Sequence, residues 1–132
     1  MSARASTALL VVGAVAWAAL IFWVSSKANP FPEVPRRLLE QDKLLHAAAY
    51  AVLGALVRGA LGGARLRPWM ALGLAVAVGT AYGASDEWHQ SFVPNRSSDP
   101  ADLAADAIGA AMGAALATLI LRRVGARATI RA

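Results

Sequence analysis

The sequence predicts an all-α membrane protein, a compact bundle of four transmembrane helices that forms one domain over residues 1–132. Three observations support this fold class. Hydrophobic residues make up 58% of the chain and charged residues 16%, whereas soluble domains contain about 45–50% and about 25%. Charge-free runs recur at about the 17–25 residues that a helix needs to cross a bilayer. Most of the acidic residues are gathered into one stretch between two of these runs.

The first predicted membrane segment is the run from Thr7 to Val24, which contains no charged residue. A secretory signal peptide is the alternative, because Arg4 precedes the run and small residues follow it. Signal peptides have shorter apolar cores, of about 7–15 residues, and this run also carries Trp23 near its end. A membrane helix is therefore the preferred interpretation.

Loops rich in proline, glycine or basic residues separate the other segments. Residues 27–35 hold three prolines, which excludes a continuous helix. A new helix is expected after Pro35, because proline is tolerated in a first turn, and it should carry residues 36–43 along the membrane interface. Residues 61–68 form a short basic turn, and the chain turns again after Pro94. The four membrane segments are expected at about residues 7–24, 44–61, 69–85 and 101–121.

The charge distribution predicts an orientation. With four crossings, the side that holds both termini and residues 58–68 carries eight basic residues and no acidic ones, and the other side carries five basic residues and all eight acids. Basic short loops stay in the cytoplasm. We therefore expect both termini to be cytoplasmic and the acidic stretch to face outward. Arg58, near the end of the second segment, is expected to extend its guanidinium group to the lipid headgroups.

The composition also excludes several kinds of site. The net charge of +5 does not indicate nucleic-acid binding, because the basic residues are dispersed between apolar runs. The chain has no cysteine and two histidines, so a metal site would require carboxylates to complete it, and we assign no metal ligand and no cofactor. Ser85 lacks the second glycine of a nucleophile elbow. No phosphate-binding or dinucleotide-binding fingerprint is present in the sequence.

Residues 82–109 are the stretch on which the functional hypotheses depend. They include five of the eight acidic residues, and ionisable groups in or beside a bilayer are costly unless they pair with one another or with water. Residues three or four apart share a helix face. This spacing places Glu87 with Gln90 at the outer end of the third helix. It also places Asp102 with Asp106 in the fourth.

The second helix carries a matching polar face. His46 and Tyr50 follow Asp42 at four-residue spacing, and Lys43 precedes His46 by three residues. Because three helices present polar faces at the same membrane level, we expect these faces to line one pocket. The catalytic candidates are His46, Glu87, Asp102 and Asp106, and the ligand-binding candidates are Lys43, Tyr50, Gln90 and Arg96.

Several of the acids also fit simpler roles. Asp99 followed by Pro100 has the pattern of a helix N-cap. Asp102 fits both a first-turn acid, which the helix dipole favours, and a pocket residue. Asp86 and His89 lie beside the expected pocket face. A position at the membrane interface would also explain them, so they rank below the pocket residues.

His46, Glu87 and Asp106 have two competing interpretations. They are either an ion-pair and hydrogen-bond network that fixes how the helices dock or a site for proton transfer. A histidine beside carboxylates is suited to proton transfer near neutral pH. In the same helix as Asp106, Gly109 and Gly113 form a GxxxG pair, which lets another helix backbone approach closely. The pair also offers a surface for homo-oligomerisation, although the sequence leaves the oligomeric state open.

Two stretches of the chain closely resemble the VanZ-like family of small bacterial membrane proteins: DKLLHAAAY at 42–50 and YGASDEWHQSFVPNRSSDPADLAADAIGAAMG at 82–113. One position departs from the commonest form of the family, since many members carry asparagine where this chain has Asp106. The naming member of the family lowers sensitivity to the glycopeptide antibiotic teicoplanin, so the resemblance implies a role in the bacterial cell envelope. The residues that match the family pattern in order and spacing are Lys43, His46, Tyr50, Glu87, Gln90, Phe92, Pro94, Arg96, Asp102 and Gly109.

Three functional hypotheses follow for a protein of the bacterial inner membrane. In the first, the pocket binds the polar head of a membrane lipid or a lipid-linked cell-wall intermediate, with Lys43 and Arg96 holding an anionic group. In the second, the protein is an intramembrane hydrolase or transferase that acts on a lipid phosphate or acyl ester through His46 and Glu87. In the third, it is a structural scaffold whose polar cluster satisfies itself. A transporter is disfavoured, because the sequence shows no inverted repeat and no broken helix.

Overall fold

The structure, a computed structural model, describes residues 2–28 and 42–130. Every regular element in these residues is helical, which confirms the all-α prediction. The predicted helix start after Pro35 and the interfacial run 36–41 lie outside the described residues. The elements in chain order are α1 (Ala3–Ser25), α2 (Asp42–Ala60), a 3₁₀ turn (Leu61–Gly63), α3 (Pro68–Gln90) and α4 (Pro100–Ile130).

Local sequence signals account for the helix ends. Ser2 caps α1, because its hydroxyl oxygen accepts a hydrogen bond of 3.2 Å from the backbone N–H of Ala5. α3 begins at Pro68, which suits a first helical position because that position needs no N–H donor. α3 then continues through the acidic stretch to Gln90, as predicted. α4 continues to Ile130, beyond its predicted apolar limit at 121, because alanine and arginine favour helix even outside a membrane.

Three helices in the described part of the chain are long and apolar enough to span a bilayer, over Arg4–Ser25, Asp42–Gly63 and Pro100–Gly125. α3 is not among these spans. Thr80 and Tyr82, with glycines beside them, lower the mean hydropathy of its apolar run before the acids at its end. Large apolar side chains such as Val15 and Met112 point outward and are exposed, as expected for helices that face lipid. The protein is thus an all-α membrane protein.

α1 and α3 run in the same direction. The Tyr82 hydroxyl donates to the backbone carbonyl of Ala18 at 2.6 Å, and one turn later on α3 Asp86 accepts from the Ser25 hydroxyl at 2.6 Å. The order of these contacts along both helices is the same. This arrangement is expected when alternate segments of a bundle cross the membrane in the same direction.

α2 and α4 also run in the same direction and form the most extensive helix pair. A Cβ added to Gly109 would overlap the backbone carbonyl of Ala47, and a Cβ added to Gly113 would overlap that of Ala51. The GxxxG pair therefore allows close approach, as predicted, but within the chain and against α2. Homo-oligomerisation stays a proposal, and it would need another face of the molecule.

Arg58 does not extend to the headgroups, and that prediction is wrong. Its side chain is only 5% exposed, and its Nε donates to the hydroxyl of Thr118 at 2.9 Å. Arg58 follows Gly54 by one turn, and Gly54 packs directly on Ala110 of α4. The guanidinium group is therefore held at the interface of α2 and α4.

Candidate functional site

His46 of α2 and Asp106 of α4 are in direct contact. His46 Nδ1 and Asp106 Oδ1 lie 2.9 Å apart, and the side chain of Asp106 is fully buried whereas that of His46 is 10% exposed. Gly83 of α3 admits the carboxylate, because a Cβ at this position would lie 2.8 Å from Asp106 Oδ2. Within the described chain, Asp106 Oδ2 has no hydrogen-bond partner. The polar faces predicted for α2 and α4 therefore meet at this pair.

Glu87 of α3 reaches the same level. Its Oε2 accepts a hydrogen bond of 2.8 Å from the backbone N–H of Asp99, whereas its Oε1 is buried and finds no hydrogen-bond partner among the described residues. One nitrogen or oxygen atom from each of His46, Glu87 and Asp106 lies within 4.8 Å of the others. We call these three residues the His–Glu–Asp cluster. The structure thus brings together three of the four predicted catalytic candidates in this cluster, and the fourth, Asp102, also has an oxygen within 4.8 Å of a His46 ring nitrogen.

Asp102, the fourth candidate, is bound to Lys43. The Lys43 ammonium donates to Asp102 at 3.0 Å and to Asp99 at 3.1 Å. Asp99 also accepts from the backbone N–H of Ala101 at 2.8 Å, which confirms its predicted role as the N-cap of α4. That backbone bond, and then the Lys43 ammonium, hold the pKa of Asp99 below its usual value. Lys43 therefore already has two carboxylate partners.

A second set of hydrogen bonds connects α1 to the loop after α3. Asp86 accepts from the Ser25 hydroxyl at 2.6 Å and from the Gln90 amide at 3.1 Å. Arg96 in turn donates to the side-chain oxygen of Gln90 at 3.5 Å and to the backbone carbonyl of Lys27 at 3.3 Å. We call these linked residues, Ser25, Asp86, Gln90 and Arg96, the Ser25–Arg96 chain.

A cavity of about 460 Å³ lies between α1, α2 and the C-terminal end of α3. Apolar side chains such as Trp17, Ile21 and Leu45 form part of its wall. The predicted ligand-binding residues Tyr50, Gln90 and Arg96 line it, as does His46, whereas Lys43 does not. The Tyr50 hydroxyl is buried and has no hydrogen-bond partner in the part of the chain that the structure describes.

Asp86 was ranked below the pocket residues from the sequence, yet the structure shows it lining the cavity. Its side chain is 4% exposed and occupies the centre of the Ser25–Arg96 chain. The spacing of four residues between Tyr82, Asp86 and Gln90 would have identified it, because that spacing marks one helix face. Nothing in the sequence indicates Ser25, since its contact depends on how α1 docks against α3.

His89 takes part in helix packing. Its ring stacks on that of Phe22, with the centroids 4.5 Å apart and the planes at 18°. His89 neither lines the cavity nor belongs to the His–Glu–Asp cluster. The two histidines of the chain therefore have different surroundings, and only His46 lies at the candidate site.

The family model described as VanZ/LLP1 matches residues 10–121 of the chain. No curated protein and no solved structure matches this chain. The matched span contains most of α1, all of α2 and α3, and every residue of the His–Glu–Asp cluster. Because the match covers far more than half of the chain, this protein belongs to the VanZ-like family.

Proposed function

We propose that this protein crosses the bacterial cytoplasmic (inner) membrane four times and binds the polar head of a lipid, or of a lipid-linked cell-envelope intermediate, at the outer face. The observation that carries the proposal is the cavity, which joins apolar walls to the Ser25–Arg96 chain. Lipids and lipid-linked intermediates share this division into an apolar chain and a polar head. Membership of the VanZ-like family supports a role in the envelope, and lower sensitivity to teicoplanin is the cellular effect we expect.

The polar and apolar parts of the cavity lie at different depths. Ser25, at the end of α1, contacts Asp86, whereas Trp17 lies deeper and donates its indole N–H to the backbone carbonyl of Ala49 at 2.8 Å. At about 1.5 Å per residue, the distance along α1 from Trp17 to Ser25 is about 12 Å. The cavity therefore has the length to hold a headgroup near Arg96 and the first carbons of an acyl chain near Trp17.

The crossing by α3 is part of the proposal. α3 runs parallel to α1, and its residues Ala71, Ala75, Gly79 and Gly83 are buried against the other helices. The opposite face carries the exposed apolar side chains of Met70, Leu74 and Val78, as a lipid-facing helix surface requires. With this crossing both termini lie on the arginine-rich side, which is expected to be cytoplasmic.

Single cysteines test this orientation, because the chain has no cysteine of its own. Ser97 and Ala64 are both exposed and lie in loops at opposite ends of the helices. In intact cells, Ser97→Cys should react with a membrane-impermeant maleimide, and Ala64→Cys should react only after the cells are lysed. The reverse labelling pattern would contradict an outward-facing site.

Arg96 is the residue best placed to hold an anionic headgroup. It lines the cavity, and its hydrogen bonds within the described residues go to a carbonyl and an amide oxygen rather than to a carboxylate. Lys43, the other predicted anion-binding residue, is engaged by Asp99 and Asp102. An arginine guanidinium also suits phosphate geometry. The proposal therefore assigns the anion to Arg96, with Gln90 and Tyr50 orienting the ligand.

Arg96→Gln should weaken the binding of anionic lipids by about tenfold to a hundredfold, because a hydrogen bond to a charged group contributes roughly 1.5–3 kcal/mol. Native mass spectrometry of the purified protein with phosphatidylglycerol, or with a polyprenyl phosphate, measures this loss and distinguishes the two lipid classes. Arg67→Gln is the matched control, since Arg67 is exposed before α3 at the opposite end of the molecule. Equal binding by the two variants would refute the assignment to Arg96.

An enzyme is the second candidate, and the contact between His46 and Asp106 favours it. Asp106 holds the ring of His46, which lines the cavity, in the way that a carboxylate orients a general base. Glu87 would then act as base or nucleophile, His46 as proton carrier, and Asp102 as a further orienting group. The substrate would be a lipid phosphate or acyl ester.

His46→Ala distinguishes this candidate from simple binding. An enzyme would lose about a hundredfold or more of its hydrolysis rate on a fluorogenic phospholipid, while lipid retention measured by mass spectrometry stayed near the wild-type level. Unchanged hydrolysis by His46→Ala would exclude His46 as proton carrier.

A purely structural scaffold is less well supported, because Tyr50, Glu87 and Asp106 each keep a buried polar atom without a partner among the described residues.

A further inference from the structure

Beyond lipid binding, we propose that the His–Glu–Asp cluster binds one divalent first-row transition-metal cation, in the range from Mn²⁺ to Zn²⁺, through His46, Glu87 and Asp106. The sequence left a metal site open only if carboxylates complete it, and this cluster supplies two. The three residues come from α2, α3 and α4, so the cation would join three helices at one point.

The distances suit coordination. Bonds of about 2.0–2.2 Å from a cation to nitrogen and oxygen place neighbouring ligand atoms about 3 Å apart in octahedral geometry and about 3.5 Å apart in tetrahedral geometry. The candidate atoms lie within 4.8 Å of one another, so side-chain shifts of up to about 1 Å would complete the set. His46 Nδ1 and Asp106 Oδ1 are 2.9 Å apart, which is near the separation of about 3 Å between adjacent ligands of one ion.

The buried carboxylate oxygens are a second and independent observation. Glu87 is 4% exposed and Asp106 is 0% exposed. In the described residues, Glu87 Oε1 and Asp106 Oδ2 each have no hydrogen-bond partner. Buried polar atoms are nearly always satisfied, and an unpaired one is costly. A cation shared by both carboxylates would remove this cost.

The balance of charge also favours a divalent cation. Metal ligands bind in their deprotonated forms, so two carboxylates and a neutral imidazole would present a charge of about −2 to the cation, and charge in or beside a bilayer needs a partner. Lys43 is bound to Asp99 and Asp102, so it does not supply that partner. One nitrogen and two oxygen ligands suit Mn²⁺, Fe²⁺, Co²⁺ or Zn²⁺ better than Ca²⁺, which prefers oxygen ligands alone.

A neighbouring set of residues competes for the same histidine. Asp42, His46 and Asp102 also place one ligand-type atom each within 4.8 Å of the others. However, Asp102 already accepts from Lys43, and the Asp42 side chain is 48% exposed with its Oδ1 at 3.7 Å from His46 Nε2. Asp42 therefore provides the matched control.

The test uses the full-length protein, purified in detergent, stripped with a chelator and dialysed against Zn²⁺ or Mn²⁺. Elemental analysis by mass spectrometry should find one ion per chain in the wild type. Glu87→Gln and Asp106→Asn should each weaken binding by about tenfold or more, whereas Asp42→Asn should stay within about threefold of the wild type. A wild type that binds neither metal, or binding lost in Asp42→Asn and kept in Glu87→Gln, would overturn the proposal.

Thermal unfolding provides a readout that separates ion binding from folding. Saturating Zn²⁺ or Mn²⁺ should raise the Tm of the wild type, because a ligand of the native state stabilises it, and should leave the Tm of Glu87→Gln unchanged. Where Glu87→Gln fails to fold, Asp106→Asn takes its place, since the amide keeps the shape and one acceptor oxygen. An equal rise of Tm in the wild type and in these variants would also refute the site. Lipid binding by Arg96→Gln, measured by native mass spectrometry, does not depend on metal binding. The lipid-binding proposal and the metal-site proposal can therefore fail separately.

Discussion

Gly113→Leu is expected to prevent stable folding. The backbone of Gly113 lies against the carbonyl of Ala51 so closely that even a Cβ would overlap it. A leucine side chain therefore requires α2 and α4 to separate along their whole contact, where Gly54 and Gly109 are equally close to the opposite backbone. We expect a loss of roughly 4 kcal/mol or more, in the range of the most disruptive core substitutions. Chemical unfolding in detergent and the yield of membrane-inserted protein measure this loss.

Gly73→Ala is the matched control for this substitution. A Cβ at Gly73, in α3, meets nothing within 4 Å, so alanine should be neutral or should stabilise the helix by up to about 1 kcal/mol. The stability of Gly113→Ala should lie between those of Gly113→Leu and Gly73→Ala, because one methyl group displaces the helices less than a leucine side chain does. A Gly113→Leu protein as stable as Gly73→Ala would show that α2 and α4 do not pack through this glycine.

Asp86→Ala is expected to have the second largest effect, because it removes the acceptor of the buried Gln90 amide and the short bond from Ser25. The Ser25 hydroxyl keeps the Phe22 carbonyl as an acceptor at 3.1 Å, whereas the Gln90 amide is left unsatisfied, which costs roughly 1–3 kcal/mol. With the lost bond from Ser25 to a charged group, we expect a total loss of about 2–4 kcal/mol. The C-terminal end of α1 should also exchange its backbone amide protons faster, since the bond from Ser25 holds it to α3. Thermal unfolding and hydrogen exchange measure the two effects.

Ser85→Ala is the control on the adjacent position of α3. Ser85 is exposed, and its hydroxyl donates only to the backbone carbonyl of Tyr82 one turn earlier, so its removal should change stability by less than about 0.5 kcal/mol. Asp86→Asn should lose less stability than Asp86→Ala, because the asparagine amide keeps one acceptor oxygen. Similar stability of Asp86→Ala and Ser85→Ala would show that Asp86 does not hold α1 in place.

The helices could be predicted because the signals that define them are local. Charge-free runs located the apolar parts of α1, α2 and α4, and the Asp99–Pro100 pair located the start of α4. The spacing of His46 and Asp106 within their own helices indicated that both face inward. These inferences need only the helix period and the residue preferences of helix N-caps, both of which act within a few residues of the chain.

The surroundings of individual side chains could not be predicted, because they depend on how the helices dock, and sequence spacing does not determine that docking. Arg58 was expected at the headgroups, but its face of α2 is the one that packs on α4, so it is buried beside Thr118. Asp86 was ranked below the pocket residues because the partner that buries it, Ser25, lies on a helix distant in sequence. GxxxG pairs indicate close approach of helices without saying whether the second helix belongs to the same chain.

An experimental structure of the protein in lipid nanodiscs tests the central claim most directly, through the distance from the Arg96 guanidinium to the nearest lipid phosphate. We expect a headgroup in the cavity beside Gln90 and Arg96, with a phosphate oxygen about 3 Å from the guanidinium nitrogens and the acyl chain against Trp17. A cavity closed by protein side chains, or phosphates found only outside the bundle, would contradict the account.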